Sequence, residues 1–305
     1  MRRFPLIAAA GAALALAAPL LSACGGTTDA SARPGTVPVV ASTNVYGDIA
    51  KRVGGPNVSV TSIISDPEQD PHSYQANTKT QLALSRAKVV IENGGGYDDF
   101  VDTMLSTAKS KAPVLNAVKI SGKTAPAGGD LNEHVWYDFP AMDRLAGRLA
   151  GALATADPAH AKTYTANARA FGGELSALEK RTAALKKAHA GAGVAITEPV
   201  PGYLLDAAGL RDRTPEPFSH AVEEGDDVPP RVLRQTLGLF SGAGRVKALV
   251  YNAQTVSAQT QQVVKAARAG HVAVVPVTET LPDGKTYLSW MRGNVDALAK
   301  ALGER

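Results

Sequence analysis

An α/β fold of two lobes with parallel-type sheets, joined by one long helix, is what the sequence predicts. Three patterns predict it. Short β-branched apolar runs alternate with helical stretches in the first half; the alternation recurs in the second half; and one long helical pattern lies between them. The 305 residues leave room for two domains of ordinary size. A composition of 45% hydrophobic and 20% charged residues argues against a disordered chain and against a polytopic membrane protein.

The elements follow in order. Residues 37–42 are apolar and β-branched, a first strand, and 46–53 form a helical stretch stopped by Gly54-Gly55. Residues 58–64 read as a second strand, 81–87 as a helix end, 88–92 as a third strand and 114–116 as a short fourth. Asp157-Pro158 has the form of an N-cap with proline at the first helical position. It opens a helix running to His189, with Leu175, Leu178, Ala183 and Leu185 at helical spacing. At 1.5 Å per residue this helix reaches roughly 45 Å, enough to span two lobes. Gly172-Gly173 inside it predicts a bend. Residues 194–197, 246–251 and 272–278 are the strands of the second half, and a last helix covers 287–302. The expected organisation is a leader at 1–23, a tether at 24–36, a first lobe at 37–156, the linking helix at 157–190 and a second lobe at 191–305.

The leader rests on Arg2-Arg3 followed by an apolar, Ala- and Leu-rich run from Phe4 to Leu21. It ends in Leu21-Ser22-Ala23-Cys24-Gly25, which resembles the lipobox where bacterial lipoproteins are acylated on cysteine and cut just before it. Pro5, Pro19 and the small residues at the cut favour cleavage over a membrane-spanning anchor. Gly25 to Thr36 has the composition of a flexible tether. The expectation is a body held to the extracytoplasmic face of the cell membrane by lipid on Cys24. Arg2-Arg3 alone do not choose between general and twin-arginine export.

Charge and cysteine content narrow the function. The net charge is +4, and without Arg2 and Arg3 there remain 30 basic residues against 28 acidic ones. Such a balance gives no nucleic-acid surface. A single cysteine excludes an intramolecular disulfide and a Cys-rich zinc site.

Six histidines can be weighed one at a time. His72 lies in the loop Asp70-Pro71-His72-Ser73-Tyr74 after the second strand. His134 lies in Asn132-Glu133-His134-Val135-Trp136, ahead of a helix beginning near Ala141. Glu198 and Glu279 each directly follow a strand, and ligands of open parallel sheets bind beyond the carboxyl ends of strands. Two imidazoles and two carboxylates around a divalent cation sum to zero charge, and four protein donors can close a tetrahedral site. A closed site suits capture and release rather than turnover. Tyr251-Asn252, at another strand end, are candidate supporting groups. His160, His189 and His271 read as surface residues. His220, among Glu223, Glu224, Asp226 and Asp227, suggests a weak auxiliary metal site.

These residues resemble the solute-binding lipoproteins of zinc and manganese ABC transporters, the cluster A-I metal-binding family. Asp70 to Tyr74 matches that family's Asp-Pro-His-x-Tyr loop, and Asn132 to Trp136 its Asn-x-His-Val-Trp loop. Glu198, five residues before Tyr203, stands where the family carries a third ligand, His or Glu. Glu279 stands where it usually carries Asp. The resemblance covers essentially the whole chain and implies a metal-type periplasmic-binding-protein fold, no enzymatic activity, and an ABC permease as membrane partner. Its cargo would be one divalent ion, Mn²⁺ or Zn²⁺: oxygen donors suit the first, imidazole the second, and Zn²⁺ has the general affinity advantage. The family's His-rich loop is absent, since residues 121–133 hold no histidine. The alternatives are a surface adhesin with a structural metal and a secreted metallohydrolase. Gly94-Gly95-Gly96 resembles a phosphate-cradling turn, but Asp98 and Asp99 beside it favour an acid-capped helix entry. No His-Glu-x-x-His or Gly-x-Ser-x-Gly pattern occurs.

Overall fold

Strands β1 (Val37–Thr43), β2 (Val58–Ile64), β3 (Val89–Glu92) and β4 (Val114–Asn116) form a sheet in the order β2-β1-β3-β4, every pair parallel. The chain is described here by a computed structural model covering residues 35–66, 74 and 77–304. The expected leader, Cys24, most of the tether, and His72 with Asp70 and Pro71 lie outside the described residues. Helices α1 (Asn44–Gly54), α2 (Thr78–Arg86), α3 (Phe100–Ala108) and α4 (Ala117–Ser121) complete this part, and α5 (Phe139–Ala156) packs over it. After α6 (Ala161–His189) the plan repeats. Strands β5 (Gly193–Ile196), β6 (Arg211–Asp212), β7 (Ala248–Asn252) and β8 (Ala273–Val277) form a second parallel sheet, β6-β5-β7-β8. Its helices are α7 (Gly202–Ala207), α8 (Glu216–Glu223), α9 (Pro230–Gly238), α10 (Ala258–Ala269) and α11 (Tyr287–Ala301).

Both sheets are covered on both faces, which is why their strands read as continuous apolar runs. Alternate residues go to opposite sides. In β1, Val39 and Ala41 join the main core while Val40 packs with Leu84, Val101 and Met104. In β7, Ala248 and Val250 join the main core while Leu249 packs with Phe218, Phe240 and Val263. The main core runs through both sheets and includes α5, α6 and α11.

The long helix holds that core together. Its buried Tyr164, Ala168, Phe171, Leu175, Leu178, Thr182 and Leu185 recur every three or four residues, the spacing of one helix face. Its start differs from the expected one. Pro158–His160 forms a 3₁₀ turn, and the Asp157 carboxylate receives the Tyr164 hydroxyl and the His160 ring instead of capping the helix. Gly172 has a packing reason: a Cβ there would collide with the Asp143 carboxylate of α5. The other expected strands agree to within about two residues, while β6, two exposed polar residues, had no apolar signature.

In each sheet the first strand has its successor on one side and the next strand on the other. This is the reversal of strand order at which open α/β sheets place their ligands. In the second sheet it lies between β5 and β7, whose ends carry Glu198 and Asn252.

Candidate metal centre

His134 is completely buried in the loop before the 3₁₀ turn Val135–Tyr137. Asn132 fixes its ring. The amide oxygen of Asn132 accepts from the His134 backbone N–H at 3.0 Å and lies 2.8 Å from Nδ1, while its Nδ2 donates to the Pro199 carbonyl at 2.9 Å. With that oxygen as acceptor, Nδ1 carries the proton and Nε2 presents its lone pair, the form in which imidazole binds a metal. The Trp136 ring, 5.0 Å away edge-on, backs the imidazole.

Two carboxylates meet through Asn252. Its Nδ2 donates to Glu198 Oε2 and to Glu279 Oε1, each at 2.7 Å. Glu198 and Glu279 are 2% and 3% exposed, so ionised side chains there need partners of this kind. The Tyr97 hydroxyl donates to Glu279 Oε2 at 3.2 Å. Burial first, and then the charge of Glu279, raises the pKa of Tyr97 well above its ordinary value, so it remains a donor. Gln254 holds the turn after β8, its Oε1 accepting from the backbone N–H groups of Glu279 and Thr280. Glu279 Oε2 lies 4.0 Å from His134 Nε2, across the two lobes.

A further carboxylate is present that sequence reasoning placed elsewhere. Glu223, the last residue of α8, brings Oε1 to 3.7 Å from His134 Nε2. Donor atoms of Glu133, His134 and Glu223 all lie within 4.8 Å of one another. Burial, and after it the charges of Glu133, Glu198, Glu279 and Glu224, pushes the Glu223 carboxyl up to about 9. The expected auxiliary site around His220 does not form among the described residues: His220 is exposed and faces Asp130 at 3.6 Å, and Glu224, Asp226 and Asp227 point to solvent. The buried Phe218 and Val222 anchor α8 from within and turn Glu223 inward. An apolar pair four residues apart ahead of an acid was the signal that could have found it.

Asn252 joins the centre. Tyr251 does not: as its neighbour on a strand it faces the other way, packs in the second lobe's separate core cluster and lines a surface depression beside α10. His160 and His271 are exposed, whereas His189 is half-buried, its Nε2 3.5 Å from Glu304 Oε1. At Gly94 to Gly96, all in the left-handed region, Asp98 accepts from the N–H groups of Asn93 and Gly94 at 2.6 and 2.7 Å. That turn already holds its own anion. Among the described residues no helix is long and apolar enough to cross a membrane.

Two parallel α/β lobes meeting over a buried centre of imidazole and carboxylates define a two-lobed binding protein with a site suited to a cation. The chain belongs to the ZnuA family, zinc-uptake complex component A, periplasmic, whose model matches residues 39–301. It is 29% identical over 175 residues to the manganese-binding lipoprotein MntA of Bacillus subtilis strain 168, covering 55% of this chain and only 56% of that protein. With the iron-binding protein YfeA of Yersinia pestis it shares 24% identity over 278 residues, 87% of this chain and 86% of the relative. The periplasmic zinc-binding protein TroA of Treponema pallidum has the same fold, with a TM-score of 0.74 at 18% identity over 89% of this chain and all of that one. So has FpvC of P. aeruginosa, solved with Ni²⁺, with a TM-score of 0.71 at 23% identity over 88% and 97% of the two chains.

Proposed function

We propose that this chain is the extracytoplasmic solute-binding lipoprotein of a metal ABC importer. It captures one divalent transition-metal ion, Mn²⁺ or Zn²⁺, between its lobes and delivers it to a membrane permease. The observation that carries this reading is the convergence on one buried point of His134, oriented by Asn132, and of the Glu198–Asn252–Glu279 bridge from the other lobe. His134, Glu198 and Glu279 are the ligands, joined by His72 from the loop after β2, and Asn252 is their supporting group. In this reading residues 1–23 are the leader, Cys24 is the lipidated residue, and 24–36 are the tether. Lobes at 37–156 and 191–305 are then joined by 157–190. Relatives named for manganese, iron and zinc support the class of cargo.

The chemistry is capture without turnover. Three of these ligands are held before the ion arrives: the His134 imidazole by its Nδ1 partner, Glu198 and Glu279 by a shared amide. Little side-chain ordering then remains to oppose binding. Both lobes contribute donors, so an ion between them links the lobes, and protons competing for imidazole and carboxylate release it.

The test is metal content by mass spectrometry of the detergent-purified full chain, equilibrated with equal Mn²⁺ and Zn²⁺ and stripped of loose ions. One ion per chain, lost in His134→Ala, is the expected result. A chain that emerges metal-free would end the reading.

A further inference from the structure

Two carboxylates of the cleft, Glu133 and Glu223, have no place in the four-ligand set, and Glu223 is the one brought against His134 Nε2. Glu223 is borne by α8 of the second lobe, not by a strand end, and its side chain is only 10% exposed. Its Oε1 is buried and accepts no hydrogen bond among the described residues. A buried acceptor left so is costly, by about 1–3 kcal/mol for a neutral group and more for a charged one. The surroundings do not relieve it, because the other carboxylates of the cleft, Glu133, Glu198 and Glu279, face it. Nor is the side chain a loose surface group that happens to point inward. Phe218 and Val222 seat α8 in the core of the second lobe, and His220 on the same helix faces Asp130 of the first lobe at 3.6 Å.

The geometry is that of a donor. Glu223 Oε1 lies 3.7 Å from His134 Nε2, slightly closer than Glu279 Oε2 at 4.0 Å. Two donors sharing one ion at about 2.1 Å each are roughly 3 to 3.5 Å apart. A contraction of a few tenths of an ångström thus places Glu223 Oε1 and the His134 imidazole on one ion.

We propose that Glu223 is a further metal ligand, supplied by α8, which adds a carboxylate oxygen donor beside His134 and so favours Mn²⁺ relative to Zn²⁺. The assignment rests on the interlobe metal site proposed above. Zinc is satisfied by four ligands in a tetrahedron, whereas manganese takes more oxygen donors in an expanded shell. Removing one oxygen donor therefore weakens Mn²⁺ more than Zn²⁺.

The experiment compares the full chain with Glu223→Gln, Glu224→Gln and His134→Ala. Mn²⁺ and Zn²⁺ affinities are measured by competition with a fluorescent chelator, and the visible spectrum is recorded at saturating Co²⁺. Gln is isosteric, so the helix keeps its packing. In Glu223→Gln, Mn²⁺ affinity is expected to fall about 10- to 100-fold, with a smaller loss for Zn²⁺. The Co²⁺ bands should intensify as the coordination number drops. Glu224→Gln, altered at an exposed neighbour, should match the unaltered chain. Undiminished Mn²⁺ affinity in Glu223→Gln, or a loss with an unchanged Co²⁺ spectrum, overturns the assignment, and metal loss in His134→Ala then leaves the interlobe site standing. Equal losses for both ions overturn the selectivity. Full binding by His134→Ala removes the interlobe site and Glu223 with it.

Discussion

At the scale of single residues, the centre depends on two amides as much as on its charged groups. Asn132 sets the tautomer of His134 and reaches the second lobe through the Pro199 carbonyl. Asn252 Nδ2 donates to both carboxylates as well as to Thr255 Oγ1, which keeps Glu198 and Glu279 together despite their like charge. Asn252→Ala removes that bridge while leaving every ligand in place. Its metal affinity should fall about 10- to 100-fold, the usual effect of losing a group that orients ligands. Chelator competition measures this, and an affinity within twofold of the unaltered chain would mean the carboxylates are held by other groups. Asn252 could be read from the sequence because it ends a strand at the sheet's crossover point. Glu223 is harder to read, because four acids crowd the stretch after His220 and only the apolar pair Phe218 and Val222 ahead of it sets it apart. Tyr251 shows the same limit in reverse: the strand end was readable, but which of two successive residues turned toward the cleft depended on the pleat.

Among the elements, the apolar runs of the strands and the helical spacing of α6 carried the fold in plain view, since buried parallel strands are apolar on both faces. The two-residue β6 was invisible because its pairing is made by backbone alone at an exposed edge. Contacts between elements distant in sequence were equally unreadable. One such contact joins α1 to α11, where Asp48 accepts from the Tyr287 backbone N–H at 2.8 Å. Burial raises the pKa of this half-buried carboxyl, outweighing that bond and the nearby Lys51 and Arg52. A folded value above the unfolded value of about 3.9 means that the contribution to stability is full below that pH. It is lost as pH rises through the folded value. Asp48→Asn removes this dependence. Denaturant unfolding of the metal-free chain, followed from acid toward neutral pH, should show the unaltered chain losing more stability than the variant. Parallel curves would refute the role given to Asp48.

Across the whole molecule, the lobes are tied together well beyond the linking helix. Asn44 and Leu281 exchange two hydrogen bonds of 2.9 and 2.8 Å, linking the start of α1 to the segment after Glu279. The Tyr287 hydroxyl donates to the Trp136 carbonyl at 2.6 Å, and the Tyr137 hydroxyl to the Thr278 carbonyl at 2.8 Å. One continuous apolar core underlies these bonds. A wide hinge opening would break all of them and expose that core at about 25 cal/mol per Å². Local movement near the centre leaves them intact. A small shift of α8 would be one such movement, since its buried Phe218 and Val222 pack in the smaller second-lobe cluster, outside the shared core, and the helix carries Glu223. The radius of gyration in solution should therefore differ by less than about 0.5 Å between metal-free and metal-loaded protein, because a change confined to one short helix hardly alters a body of this size. Small-angle X-ray scattering on the two states decides the matter. An expansion of several ångströms on metal removal would show that the bonds between the lobes break, and that capture works by hinge closure after all.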